Sequence, residues 1–229
     1  EGEMGLPAAT KALVEVDGVP MIERVLGGVR EAVGARPVFV SVGDPALLAA
    51  TPALRAWVDE GWLHHHRSAG SPAASVADFL DREGGSGATL VTTADHPLLT
   101  PDMVRHFIAA ADATGADVAV AVVEASLFRS RFPQVRRTFI PRGWAAVPGA
   151  NRAWAPPPRA AGGARFWVRA EVVRKRPWRM VALFGPLALL RFALGRLSLD
   201  EAVERVSTAA GVRAAAVRMP FAECAIDVD

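Results

Sequence analysis

Residues 90–99, LVTTADHPLL, begin as an apolar and β-branched run and end at a single carboxylate, Asp95, followed by His96 and Pro97. The first half has the composition of a strand that is covered on both faces of a sheet. In open α/β sheets, ligands bind at the carboxyl ends of the strands. This stretch therefore predicts a strand that brings Asp95 to the ligand-binding edge, where its carboxylate can bind a divalent cation.

Two similar apolar runs lie at residues 36–42, RPVFVSV, and 116–123, ADVAVAVV. Amphipathic segments separate these strands, and one of them begins at Thr100-Pro101-Asp102 with a capping Thr, Pro at the first helical position and an acid in the first turn. Repeated strand–helix alternation is typical of a parallel, doubly wound sheet. We therefore expect an α/β protein with three α/β/α layers and a mostly parallel sheet.

Length and composition limit the remaining possibilities. The chain has 229 residues, of which 51% are hydrophobic, and we expect one domain over 1–229 with an insertion at about 125–197, where periodicity weakens. A formal charge of +2 without a concentrated basic face argues against nucleic acid as a partner. No signal peptide and no run of about 18 uncharged apolar residues is visible, which predicts a cytoplasmic location without a transmembrane segment.

Four pieces of the sequence occur in a characteristic order. They are KALVEVDGVPMIERVL at 11–26, SPAASV at 71–76, TTADHPLLTPDMV at 92–104 and AIDVD at 225–229. Together they resemble the MobA-like nucleotidyltransferases, whose signatures include K-x-L with G-x-P-[ML]-[IL], then x-D-x-P, then D-x-[DN]. The Gly-rich loop that precedes the lysine in relatives is not visible, and only Glu3-Met4-Gly5 could correspond to its tail.

The resemblance implies a GT-A-like, Rossmann-type fold and an EC 2.7.7-type reaction. A phosphorylated small-molecule acceptor would attack the α-phosphorus of a nucleoside triphosphate, and pyrophosphate would leave. CTP and GTP are the first candidates for the nucleotide. Such chemistry depends on positioned reactants and neutralised charge more than on covalent help from the protein. Mg²⁺ is the implied cofactor, because it prefers oxygen ligands and commonly uses one or two carboxylates together with substrate phosphates.

The resemblance also implies roles for individual residues. Lys11 matches the lysine that contacts the triphosphate, and with Asp95 it would form the catalytic pair. Asp95 would supply one carboxylate to Mg²⁺, and either Asp227 or Asp229 would supply the other. The alternative for Asp95 is a loop or helix cap, for Lys11 a solvated surface residue, and for the terminal acids a chain-end turn.

Three further residues are candidates for substrate contact. Ser71 and Ser75 match the segment that holds the nucleotide base, partly through backbone groups, although an ordinary helix start would also explain them. Asn151, the only Asn in the chain, lies in a Gly149-Ala150-Asn151 element that resembles a G-x-N sequence near the acceptor in relatives. A plain turn is the alternative there.

Two other segments invite a functional interpretation. His64, His65 and His66 are consecutive, and in a strand they would point to opposite faces, so they are not expected to converge on one metal ion. Residues 174–196 are basic and then apolar. They predict a buried helical insertion, or alternatively an interfacial helix that makes peripheral contact with lipid.

Two other functions use the same class of fold. A GT-A glycosyltransferase would hold a nucleotide-sugar through D-x-D after an early or middle strand, whereas Ala94-Asp95-His96 is not D-x-D and Asp227-Val228-Asp229 comes late. A non-catalytic nucleotide-binding module is the second alternative. Release of pyrophosphate from a nucleoside triphosphate would distinguish the predicted nucleotidyltransferase from both of these alternatives.

Overall fold

The described part of the chain contains strands and helices in alternation. A computed structural model describes residues 11–83, 87–135, 144–146, 153–155, 167–168, 185–186, 190–191, 194 and 196–228. The strands are β1 (Glu15–Val16), β2 (Val19–Pro20), β3 (Val38–Val42), β4 (Leu63–Arg67), β5 (Thr89–Val91), β6 (Val118–Glu124), β7 (Trp144–Ala146), β8 (Ala153–Ala155) and β9 (Ala214–Arg218). The α-helices are α1 (Met21–Val33), α2 (Pro52–Asp59), α3 (Pro72–Arg82), α4 (Pro101–Thr114), α5 (Ala125–Arg131) and α6 (Leu199–Ala210). Short 3-10 helices lie at Pro45–Ala49 and Ala222–Ala225.

The sheets fix the direction of the strands that carry the candidate site. Among the described residues, β3 pairs in parallel with β4, and β6 pairs in parallel with β9. Strand β8 pairs antiparallel with both β5 and β6, so β5, β6 and β9 run in the same direction. The antiparallel pairs of this larger sheet involve β7 or β8, which lie within the predicted insertion. The predicted α/β fold is confirmed, and β7 and β8 make this sheet mixed.

Two apolar clusters fill the space between helices and strands. The main cluster is formed by Val25, Val29, Leu99, Met103, Val104, Phe107, Ala111, Ala119, Ala121, Val123, Phe128, Val217, Met219, Cys224 and Ala225. The second cluster is formed by Ile22, Leu26, Leu47, Leu48, Leu54, Trp62 and Leu63. Helix α1 contributes to both, because its apolar residues recur at helical spacing on one face. Val38 packs against both clusters and links them.

Local signals account for most helix boundaries. The Thr100 side chain accepts a hydrogen bond from the Met103 N–H at 3.3 Å, which confirms the predicted cap of α4. Asp44-Pro45 predicts one helical stretch over about 45–59, but the structure divides these residues into a 3-10 helix, Pro45–Ala49, and α2. Thr51 caps α2 and precedes Pro52, and a residue before proline is disfavoured in the helical conformation.

Gly28 allows α1 to approach the loop that follows the Asp95 segment. A β-carbon at this position would lie 2.9 Å from the backbone carbonyl oxygen of Leu99, whereas one at Gly27 would meet nothing within 4 Å. Real β-carbons essentially never approach a backbone atom so closely. The missing side chain at Gly28 therefore sets how closely α1 and the start of α4 pack.

Candidate active site

Two distant parts of the chain meet at the carboxyl edge of the larger sheet. Asp95 follows β5 by four residues, and the 3-10 helix Ala222–Ala225 and residues 226–228 follow β9. Because β5 and β9 run in the same direction, both segments leave the sheet at the same edge. This is the edge at which α/β proteins bind their ligands.

The Asp95 carboxylate is oriented by its own loop. Thr93 Oγ1 donates a hydrogen bond to Asp95 Oδ1 at 2.5 Å. The Asp95 side chain nevertheless keeps 31% of its surface exposed, so its oxygens can reach a ligand. His96 Nε2 lies 3.8 Å from Asp95 Oδ1, and the His96 side chain is buried.

The carboxyl-terminal segment is attached to this loop by two hydrogen bonds. His96 Nδ1 lies 2.7 Å from the carbonyl oxygen of Ile226, and the Val228 N–H donates to the carbonyl oxygen of Asp95 at 3.0 Å. These contacts are made by the residues immediately before and after Asp227. The structure therefore brings the backbone of Asp227 close to that of Asp95. Asp229 lies outside the described residues.

Lys11 lies in a short helical turn near the start of the described residues. Its carbonyl oxygen accepts a hydrogen bond from the Val14 N–H at 3.1 Å, and the residue is half-buried. Ala12, which follows Lys11, and Ala94, which precedes Asp95, both pack against the second cluster. Lys11 and Asp95 are therefore each adjacent in sequence to a residue that packs on this cluster.

Ser71 and Ser75 shape the start of α3. The Ser71 side chain accepts from the Ala74 N–H at 3.2 Å, so the predicted helix cap is confirmed. Ser75 Oγ donates to the Ser71 carbonyl oxygen at 3.0 Å and accepts from the Ala69 N–H at 2.9 Å. Both hydroxyls therefore hold the loop between β4 and α3, and a nucleotide role for this loop would rest mainly on its backbone.

The three consecutive histidines have separate environments. His64 stacks on Phe39, His65 Nε2 lies 2.9 Å from the Val42 carbonyl oxygen, and His66 is buried. The three side chains therefore have different partners. No group of three or more His, Cys, Asp or Glu side chains in the described part of the chain is arranged to hold a metal.

His66 belongs to a hydrogen-bonded chain that the sequence did not indicate. Its Nδ1 lies 2.7 Å from Ser41 Oγ, which is opposite His66 in the paired strands, and its Nε2 lies 3.2 Å from Asp78 Oδ2. Arg82 donates to Asp78 Oδ1 at 2.9 Å and, as the main cause, holds the pKa of Asp78 below its usual value. This chain joins β3 and β4 to α3.

Other predicted features fall largely outside the described residues. Asn151 lies outside them, and so does most of 174–196, where the described Leu190 and Leu194 are exposed and Arg191 pairs with Glu201 at 2.7 Å. The lipid contact therefore stays a prediction. None of the helices within the described ranges has the length and apolar character needed to cross a membrane.

Open α/β sheets bind their ligands at the carboxyl ends of the strands, and here two chain segments that each carry an acidic residue meet at that edge. The model of the MobA-like NTP transferase domain matches residues 3–155, more than half of the sequence, and this chain belongs to that family of nucleotidyltransferases. Comparison with curated proteins gave no match.

Solved structures support the same fold. A hypothetical transferase from Thermus thermophilus is 29% identical, with a TM-score of 0.74 over 96% of this chain and 87% of that one. CMP:2-keto-3-deoxy-manno-octonic acid synthetase complexed with CTP and 4-diphosphocytidyl-2C-methyl-D-erythritol synthase are each 15% identical, with a TM-score of 0.54 over 95% of this chain and 86% of theirs. At that identity the last two show the fold alone.

Proposed function

We propose that this chain is a Mg²⁺-dependent nucleotidyltransferase that transfers NMP from a nucleoside triphosphate to a phosphorylated small molecule and releases pyrophosphate. The main support is the attachment of the Asp227 segment to the Asp95 loop at the carboxyl edge of the sheet. Membership of the MobA-like family supports the reaction class. CTP is our first candidate because one neighbour of the same fold was solved with CTP, and GTP is the second.

The residues at this edge fit a magnesium ion. Asp95 and Asp227, or Asp229 in place of Asp227, would hold it, and their carboxylate oxygens are the ligands that Mg²⁺ prefers. The Thr93 hydroxyl fixes one Asp95 oxygen, while the partial exposure of that side chain leaves room for substrate phosphates. Bound Mg²⁺ would neutralise charge on the phosphates and on the leaving pyrophosphate.

The protein's own groups would position the two substrates. The Lys11 ammonium is a compact charge on a flexible stem, suited to the oxygens of a triphosphate. The loop that Ser71 and Ser75 hold would present backbone groups to the base, and Asn151 would contact the acceptor. An acceptor phosphate oxygen would form a bond to the α-phosphorus while the bond to the pyrophosphate oxygen breaks, so no covalent enzyme intermediate is needed.

Pyrophosphate release tests this proposal directly. The assay would offer CTP, GTP, ATP and UTP with Mg²⁺ and a panel of phosphorylated sugars, polyols and other small acceptors. One pyrophosphate per coupled acceptor is expected. Thermal shifts with the same nucleotides would show binding separately. Binding without turnover across a broad panel would favour the non-catalytic module, and glycosyl transfer from a nucleotide-sugar would favour the glycosyltransferase.

The cytoplasmic location and the peripheral lipid contact of 174–196 remain predictions. The lipid contact can be tested by sedimentation with anionic liposomes, combined with lipid-phosphate acceptors in the pyrophosphate assay. Binding that disappears when the basic residues of 174–179 are neutralised would support it. If neither liposomes nor lipid phosphates interact with the protein, the segment is better explained as a buried insertion.

A further inference from the structure

His96 lies between the two halves of the candidate site. Its side chain is only 5% exposed, although the residue is in a polar loop at the sheet edge. Its Nδ1 is 2.7 Å from the carbonyl oxygen of Ile226, a residue 130 positions away. A carbonyl oxygen can only accept, so Nδ1 must carry the proton and donate it in this contact.

The ring also lies beside the other half of the site. Nε2 is 3.8 Å from Asp95 Oδ1, beyond hydrogen-bond distance, so the imidazole binds the Ile226 backbone from a position next to the Asp95 carboxylate. Ile226 is tied in turn to the 3-10 helix through its N–H, which donates to the Glu223 carbonyl oxygen at 3.0 Å. The Val228 N–H closes the arrangement by donating to the Asp95 carbonyl oxygen at 3.0 Å. Asp227 is thus held from both sides.

We propose that His96 is a positioning residue, and that its Nδ1–H bond to Ile226 holds Asp227 within reach of the ligand that Asp95 binds. The inference rests on the proposed function, because it assigns His96 to the assembly of that site. His96 need not touch substrate in this role. Its contribution is the placement of a second carboxylate, which comes from a distant part of the sequence.

Two amide substitutions separate this role from simple filling of space. In His96→Asn, the side-chain N–H stands as many bonds from the backbone as Nδ1 does, so it can donate to Ile226. In His96→Gln, the amide is one bond farther out, near the position of Nε2. His96→Leu introduces a branched apolar side chain that fills space but has no donor. It is the second test variant if His96→Gln does not fold.

The readout is Mn²⁺ affinity, measured by electron paramagnetic resonance with Mn²⁺ in place of Mg²⁺ and with CTP or GTP present. We expect the Gln and Leu variants to bind Mn²⁺ about 10-fold more weakly or worse, the usual cost of losing a residue that orients a metal ligand. The Mn²⁺ affinity of His96→Asn should stay within about 3-fold of that of the parent protein, well short of the roughly 10-fold loss expected for the other two variants. Equal affinity of Gln and parent proteins, or equal weakening by Asn and Gln, would overturn the proposal.

A double-mutant cycle identifies Asp227 as the group through which His96 acts. If His96 only places Asp227, adding His96→Gln to Asp227→Asn should weaken Mn²⁺ binding no further, because coupled residues are not additive. Additive losses would show that His96 acts elsewhere and would overturn the proposal.

Hydrogen–deuterium exchange of the protein without metal tests the positioning independently of the proposed function. Peptides that cover 223–228 should exchange faster in His96→Gln and His96→Leu than in the parent or His96→Asn. Unchanged exchange would overturn the role of His96. Should the parent protein bind no Mn²⁺ with any nucleotide, the proposed function fails, while the exchange result still decides whether His96 holds this segment.

Discussion

At the scale of single residues, the hydroxyl of Thr93 has a specific task. Its 2.5 Å hydrogen bond to Asp95 Oδ1 fixes the carboxylate that we propose as a magnesium ligand. Thr93→Val keeps the shape of the side chain but removes the donor, whereas Thr93→Ser keeps the donor. We expect Thr93→Val to raise the Mg²⁺ concentration needed for half-maximal turnover about 10-fold, which is the usual effect of losing a residue that orients a metal ligand. Thr93→Ser should change this concentration little. Equal behaviour of the two variants would contradict this role.

A second residue-scale prediction concerns acid stability. Arg82 is the main cause of the lowered pKa of Asp78. A carboxyl group whose pKa is lower in the folded state stabilises the fold above its unfolded pKa, near 4, and loses this contribution as pH falls through the folded value. Arg82→Gln should therefore lower the urea midpoint at pH 7, and the difference from wild type should shrink by pH 3.

The matching control for Arg82 places the same substitution in an Asp78→Asn background. Without the Asp78 carboxylate, Arg82→Gln should shift the urea midpoint by the same amount at pH 7 and at pH 3. A pH-dependent difference that persists in this background would mean that Arg82 acts through another group.

At the scale of elements, two adjacent glycines in α1 form a natural pair for comparison. Replacement of either by Ala gains roughly 0.5–1 kcal/mol of helix propensity. At Gly28, however, the new β-carbon would lie 2.9 Å from the Leu99 carbonyl oxygen, and such overpacking typically costs about 1–3 kcal/mol. Chemical denaturation should show Gly27→Ala stabilised and Gly28→Ala destabilised. Two equally stabilised variants would contradict the close packing of α1 on this loop.

Elements with strong local signals were predictable from sequence. The start of α4 follows from Thr100-Pro101, and β6 follows from an apolar run. The division of 45–59 into two helices was missed, although Thr51-Pro52 carried a signal for a second start. The antiparallel pairing of β8 with β5 and β6 was not predictable, because pairing between distant segments leaves no periodic pattern in the sequence of any of these strands.

At the scale of the whole molecule, the site depends on the return of the chain to the Asp95 loop. The order of motifs predicted Asp95 as the partner of either Asp227 or Asp229, and the fold joins residues 226–228 to the Asp95 loop. The proposed positioning role of His96 was not recognisable from sequence, because its hydrogen-bond partner is a backbone carbonyl group and not a side chain. The Ser41–His66–Asp78 chain was missed for a related reason, since it depends on strand register.

The central claim is that Asp95 holds the metal required for nucleotidyl transfer. The most direct measurement is Mg²⁺-dependent pyrophosphate release by Asp95→Asn, beside Asp102→Asn, which removes an exposed carboxylate in the first turn of α4. We predict that Asp95→Asn lowers the rate about 100-fold or more, because several kcal/mol of charge stabilisation are lost, while Asp102→Asn stays near wild type. Full metal-dependent turnover by Asp95→Asn would contradict the claim.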